Sequence, residues 1–204
     1  MRIVVLGSTS RTGLCLLTEA ARRGHQIVAF TRRPEALPDS APPAAIVRND
    51  GRDLATLRNA MTGADAVISL LPGGNRDDPH LVAETARALV TAMTDTGVKR
   101  LVIVSAYPIV GDSPRLPIWI LRRVLATAYA DVSQMEQVVS ASDLVWTIAR
   151  LNRLTNRPAT GAITSSTGLL AKSRPHTRAD TAAMLLDLVE NGTAAQTAIN
   201  ISGI

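Results

Sequence analysis

The sequence predicts an α/β fold, a doubly wound and mostly parallel sheet with helices on both faces, three layers in all. Three observations predict it. Short apolar runs alternate with amphipathic stretches through most of the 204 residues, the pattern of repeated strand and crossover-helix units. Apolar residues make up 46% of the chain, yet the only aromatics are Phe30, Tyr107, Trp119, Tyr129 and Trp146, so the core must be built from Ala, Val, Ile and Leu. That is the palette of strands buried on both faces. The length suits one domain over residues 1–204 and is ample for a sizeable core.

The first strand is expected over 2–6 and opens into a helix over 12–23, which Gly24 stops. A second strand over 26–30 is followed by a loop over 34–43 that holds four of the eleven prolines and cannot pair inside a sheet. A strand over 44–48 and a helix over 53–61, ended by Gly63, complete the next unit. Then come a strand over 66–71, a helix over 79–96 closed by Gly97, and a strand over 101–105. A helical pattern over 118–140 leaves room for a break, and strands over 144–150 and 198–201 flank a helix over 178–190 that Gly192 ends. The stretch 150–168, rich in Thr, Asn and Ser, reads as a long irregular region of the kind that carries function.

Bulk properties exclude several function classes. The net charge of +5 and pI near 10.3 invite a nucleic-acid reading, but the arginines are scattered and aromatics for base stacking are almost absent. No nucleic-acid partner is expected. Cys15 is the single cysteine, so neither an intramolecular disulfide nor a Cys/His metal cluster is available, and packing is its expected role. The run 3–6 is too short for a signal-peptide core and no apolar run reaches membrane-spanning length, which leads us to expect a cytoplasmic protein without membrane contact. The apolar stretch 114–120 could cover a substrate or a neighbouring subunit, so monomer and homodimer stay open.

The first strand leads directly into Gly7-Ser8-Thr9-Ser10-Arg11-Thr12-Gly13, a turn that ends in a helix. This is where a dinucleotide pyrophosphate binds: Gly7 permits the turn, Gly13 lets helix and strand approach, and exposed N–H groups of the first helical turn face the anion. Ser10 replaces the usual middle glycine; it narrows the gap to a phosphate, but its hydroxyl is also a donor. Where an NAD site carries an acidic residue after the second strand, this chain reads Phe30-Thr31-Arg32-Arg33-Pro34. Two guanidiniums match a ribose 2′-phosphate, so the expected cofactor is NADP(H).

These segments resemble the atypical short-chain dehydrogenase/reductases, NAD(P)-binding proteins of Rossmann fold, and among them the biliverdin-IXβ/flavin reductases. The resemblance covers nearly the whole chain. The family's glycine-rich turn is similar to 7–13 and its basic segment after the second strand to 30–33. Further on, Asn49-Asp50 is similar to the family's motif after the third strand, which implies that Asp50, with Gly51 beside it, borders the adenine. The small-residue loop after the fourth strand corresponds to Ser69-Leu70-Leu71-Pro72-Gly73-Gly74. Gly97-Val98-Lys99-Arg100, Val104-Ser105-Ala106 and Thr177-Arg178-Ala179-Asp180-Thr181-Ala182 match three further segments. The resemblance implies a cofactor set of Gly7, Thr9, Ser10, Arg11, Thr12, Gly13, Arg32, Arg33, Asp50, Gly51, Leu70, Leu71, Pro72, Gly73, Ser105, Ala106, Leu151 and Asn152. The chain departs from the family at Ser10 and at Arg150-Leu151-Asn152, where most members carry proline beside the nicotinamide.

The tyrosine-lysine pair of mainstream short-chain dehydrogenases is absent. The only lysines, Lys99 and Lys172, follow Asp95 and Gly168 by four residues, and Gly111 and Ser133 stand four residues after Tyr107 and Tyr129. What remains is hydride transfer that the protein only aligns, to a small-molecule acceptor such as a flavin, a quinone or a linear tetrapyrrole. Ser105, at the carboxyl end of the fifth strand, is expected to donate a hydrogen bond near the nicotinamide, and Tyr107 either adds a phenol donor or packs over the cofactor. His25, His80 and His176 form no triad and read as surface residues, and Glu136 as part of a solvated helix face. A non-catalytic NADP(H)-binding redox sensor is the alternative function, and a nucleotide-sugar epimerase or dehydratase is disfavoured because the chain lacks a larger C-terminal substrate domain.

Overall fold

The computed structural model describes residues 1–111 and 115–204, with no side-chain description for 115–118 and 121. Its centre is an eight-stranded sheet of β1 (Arg2–Leu6), β2 (Gln26–Thr31), β3 (Ala45–Arg48), β4 (Ala66–Ser69), β5 (Arg100–Ala106), β6 (Val145–Leu151), β8 (Ile163–Ser166) and β10 (Thr197–Gly203). The spatial order is β3-β2-β1-β4-β5-β6-β10-β8, with every pairing parallel except β10 with β8. A separate two-stranded parallel ladder joins β7 (Leu154–Thr155) to β9 (His176–Thr177).

Successive strand residues point to opposite faces, and here both faces are apolar. Val4, Leu6, Val67, Leu101, Ile103 and Ile148 pack under α2 (Leu54–Met61), α3 (Leu81–Thr96) and α5 (Ala126–Ser140). Ile3, Val5, Ile68, Val102 and Ile199 pack under α1 (Arg11–Arg22) and α6 (Arg178–Glu190). The predicted three-layer, doubly wound arrangement is the one observed. Gly97, with φ +76, ends α3 in the left-handed conformation that a side chain would strain.

The helix expected over 118–140 breaks at Leu125 into α4 (Arg115–Val124) and α5; Pro117 falls in the first turn of α4, where its missing N–H has no intrahelical partner to lose. Of the apolar stretch 114–120, Pro114 lies outside the described residues, as do the side chains of 115–118. The region 150–168 is not wholly irregular, because β8 pairs with β10 as the antiparallel edge strand. Its Thr164, Ser165 and Ser166 are exposed, so an edge strand of this kind lacks the alternation that marks a half-buried one. The fourth strand ends at Ser69 instead of 71, where the chain turns out into the site.

Two buried carboxylates fasten the ends of the layers. Asp131 of α5 accepts the N–H groups of Gly74, Val82 and Ala83 at 2.8, 2.9 and 2.9 Å, supplying the N-terminal cap that α3 lacks from its own His80. Asp180, in the first turn of α6, accepts from the N–H groups of Thr160 and Gly161 and from the Thr177 hydroxyl. Burial pushes the Asp180 carboxyl up, but those donors outweigh it and hold it below the usual carboxylate range.

Candidate functional site: a cleft along the carboxyl ends of the strands

The chain runs outward from β1 to β2 and β3, then returns to the other side of β1 as β4, β5 and β6. The crevice above such a reversal is where open α/β sheets bind ligands. Gly7 lines it with φ +77, and a Cβ there would stand 3.0 Å from the Leu70 carbonyl oxygen. At Gly13 a Cβ would meet the carbonyl oxygens of Gly7 and Ser8 at 2.5 Å, so only glycine lets the helix close over the turn. The hydroxyl of buried Ser8 donates to the Val5 carbonyl at 2.6 Å and fixes the turn from behind.

Ser10 is the N-cap of α1, its Oγ accepting the Gly13 N–H at 3.0 Å. That bond turns the side chain back onto the helix and leaves the hydroxyl proton free. The N–H groups of Arg11 and Thr12, at the start of the helix, have no intrahelical partner, and no acidic residue lies in the first turn. The result is a positive helix end, with the Arg11 and Thr12 N–H groups open, facing the cleft.

At the end of β2 the buried Thr31 hydroxyl pairs with that of Thr9 at 2.8 Å and accepts the Arg33 N–H at 3.1 Å, which sets the direction of the following residues. Arg32 and Arg33 then line a cavity of about 150 Å³ together with Gly7, Thr9, Ser10 and Asp50. Both arginines are exposed, and among the described residues neither has an ion-pair partner. Gly51 does not line the cavity. With φ +98 it is buried, a Cβ there meeting Leu6 at 2.9 Å and Thr85 at 3.1 Å, and it lets the Asp50 loop turn beneath the site.

A second cavity of about 490 Å³ adjoins the first and shares Ser10, Leu70, Leu71 and Pro72 with it. Its remaining walls include Arg11, Thr12, Gly73, Ser105, Ala106, Leu151 and Arg178. Gly73 and Gly74 press the loop after β4 onto α5: a Cβ on Gly73 would lie 2.6 Å from the Ala128 carbonyl, and the Gly74 N–H is held by Asp131. Asn152 is not among the lining residues; its amide donates to the Arg174 carbonyl at 3.1 Å.

Ser105, 7% exposed, donates its hydroxyl proton to Glu136 Oε1 at 2.5 Å. Glu136 is clamped by Arg150, whose Nε and Nη2 donate to Oε1 and Oε2 at 2.9 and 2.6 Å. This corrects two expectations. Glu136 is no solvated helix residue, with a side chain only 13% exposed, and the proton of Ser105 is directed at that carboxylate and away from the cavity.

The structure also moves Tyr107 out of the site. It is 2% exposed, packs its ring against Gly111, accepts the Leu170 N–H at 3.0 Å and lines neither cavity of the cleft, so it serves packing and not proton donation. His176, expected on the surface, is 3% exposed in β9 with both ring nitrogens lacking a hydrogen-bond partner, and burial lowers its pKa. His25 pairs with Glu190 at 2.5 Å, beside the amino end of β2 and away from the cleft, and His80 is exposed at the start of α3.

Gly7, Gly13 and the open helix end fit a dinucleotide, and the sequence pattern of the NAD(P)H-binding family matches residues 7–192. The chain belongs to that family. Among solved structures, this NAD(P)H-binding protein is similar to a putative NAD-dependent epimerase/dehydratase from Bacillus halodurans, with a TM-score of 0.84, 25% identity and coverage of 100% of this chain and 94% of that one. A short-chain dehydrogenase/reductase from Veillonella parvula in complex with NADP superposes at 0.85 with 17% identity over 98% and 94% of the two chains. The anaerobillin reductase ChuY from Escherichia coli O157:H7 superposes at 0.80 with 18% identity over 100% and 97%. The fold is that of the atypical short-chain dehydrogenase/reductases. An uncharacterized protein of Mycobacterium tuberculosis is 33% identical over 117 residues, 57% of this chain; the chain matches only 13% of the length of that relative.

Among the described residues no helix is long and apolar enough to cross a membrane. Sequence reasoning noted Arg150 only as a departure from the family, placed Glu136 on a solvated face and missed Asp131. The signal for the first was a charged side chain at the carboxyl end of a buried parallel strand.

Proposed function

We propose that this NAD(P)H-binding protein is an NADPH-dependent reductase that passes a hydride to a flavin, a quinone or a similar conjugated small molecule. The observation that carries the cofactor choice is the pair Arg32 and Arg33, lining the smaller cavity without an ion-pair partner among the described residues and with no carboxylate at the end of β2. A 2′-phosphate, with a charge near −2, would supply the missing counterion.

Bound NADPH supplies the hydride. The chain's own residues supply alignment: the helix end at Arg11 and Thr12 takes the pyrophosphate, Asp50 and the arginines bracket the adenosine end, and Leu70, Leu71 and Pro72 lie where the two cavities meet. Side chains of Val104, Val132, Leu151 and Leu154 give the larger cavity an apolar wall that excludes water around a flat conjugated ring. Among the described residues, the ionisable side chains lining that cavity are Arg11 and Arg178, neither of which releases a proton near neutrality, so the proton that completes the reduction is taken from water. No lysine or tyrosine lines the cleft, which suits acceptors that need no phenolic acid.

The test is NADPH oxidation by the purified protein with a panel of flavins and quinones. Turnover with one acceptor and its loss in Ser105→Ala is the expected result; an NADPH-saturated protein that reduces none of them refutes the proposal. A second reading, an NADP(H)-binding redox sensor, is favoured by the absence of an acidic side chain among the described residues that line the larger cavity. It predicts tight binding of NADP⁺ and NADPH without turnover, and a protein partner captured only when the cofactor is present.

A further inference from the structure

The hydrogen-bond polarity of Ser105 is fixed from behind the cavity wall. Arg150 lies in register with Ser105 across β5 and β6, and Glu136 reaches both from α5. A guanidinium can only donate and the carboxylate it clamps can only accept. Ser105 has one hydroxyl proton, and at 2.5 Å that proton is committed to Glu136 Oε1. The part of Oγ left for the larger cavity therefore offers lone pairs alone. Beside it in that wall Val104, Ala106, Val132, Leu151 and Leu154 are apolar; the donors lining the cavity, Ser10, Arg11, Thr12 and Arg178, belong to the starts of α1 and α6.

We propose that Glu136 is a specificity-determining positioning residue: acting through Ser105, it makes the larger cavity favour an acceptor whose ring edge donates an N–H over one whose edge only accepts. This rests on the reductase reading above. The imide edge of an isoalloxazine brings such a donor, whereas a quinone brings carbonyl oxygens, which face the Ser105 lone pairs without a bond. Leaving a buried polar edge unsatisfied in this way weakens binding by about tenfold or more.

The same donor–acceptor logic gives the test. In Glu136→Leu no acceptor remains behind Ser105, because the Arg150 guanidinium can only donate. The serine proton is then free to turn into the cavity. The probes are lumiflavin, 3-methyllumiflavin, in which one methyl replaces the N3 proton, and menadione. Their binding to the full chain loaded with NADP⁺ is measured by calorimetry, and their turnover is measured with NADPH. Wild type is expected to hold lumiflavin about tenfold more tightly than its methyl derivative. In Glu136→Leu that ratio is expected to fall to within about threefold while menadione binds more tightly. In Ser105→Ala the ratio falls as well, with no gain for menadione.

An unchanged ratio in Glu136→Leu, or equal binding of the two flavins by wild type, overturns the proposal. If Glu136→Leu does not fold, the wild-type ratio and Ser105→Ala decide. Failure of wild type to bind or reduce any of the three refutes the reductase reading itself, whereas turnover with an unmoved ratio refutes only the role of Glu136.

Discussion

Replacing Arg32 and Arg33 together by alanine separates NADPH from NADH. Unit charges 4 Å apart at an effective dielectric near 20 attract by about 4 kcal/mol before screening. Both side chains are exposed, so that figure must be cut: exposed ion pairs measure about 0–1 kcal/mol, and hydrogen bonds to charged groups about 1.5–3 kcal/mol. A phosphate held by two partly solvated guanidiniums is therefore worth about 2–3 kcal/mol in total, or about 30- to 150-fold in Kd. Calorimetric titration of the double variant is expected to show that loss for NADPH and a change of under about threefold for NADH. Raising the salt concentration narrows the gap in wild type, because exposed charges are screened. Equal weakening of both cofactors would refute the assignment, since it would mean that the arginines support the loop without touching the 2′-phosphate.

Other perturbations follow from the same geometry. Gly13→Ala drives a methyl to within 2.5 Å of two carbonyl oxygens, and NADPH binding is expected to fall below detection by calorimetry while circular dichroism reports how much of the fold survives. Asp131→Ala leaves three N–H groups without their acceptor; a loss of about 3 kcal/mol, roughly 6–12 °C in Tm, is expected in thermal unfolding. Tyr107→Phe removes one acceptor for the Leu170 N–H and is expected to lower stability by about 1 kcal/mol with turnover intact. Burial lowers the His176 pKa below its ordinary value of 6.5, so the unfolded chain takes up that proton first. The stability this residue contributes is complete above 6.5 and declines as pH falls from there toward the folded value. His176→Gln is expected to flatten the dependence of Tm on pH just below 6.5, and an unaltered slope would count against the assignment.

Much of the architecture was legible because its causes are local. The turn from Gly7 to Gly13 shows itself in sequence, since the two glycines stand where close backbone contacts exclude a Cβ, and the strands announce themselves as apolar runs. The Arg32 and Arg33 pair was equally readable, being two adjacent cations at the end of a strand. What escaped sequence reasoning depends on contacts between distant elements. Asp131 and Glu136 lie on one helix and look like ordinary polar residues until α3 and β6 are laid against it. His176 seemed exposed because nothing in its neighbours reveals that the strand it occupies pairs with Leu154. Strand β8 stayed hidden because an edge strand with exposed Thr and Ser carries no apolar alternation. The expected donor role of Ser105 was reversed by a carboxylate thirty-one residues away.

A crystal structure of the protein with NADP⁺ tests the central claim most directly. The account predicts the 2′-phosphate within hydrogen-bonding distance of Arg32 and Arg33, the pyrophosphate on the N–H groups of Arg11 and Thr12, and the nicotinamide in the larger cavity beside Ser105. A cofactor absent at saturating concentration, or bound with its 2′-phosphate turned away from both arginines, would contradict it.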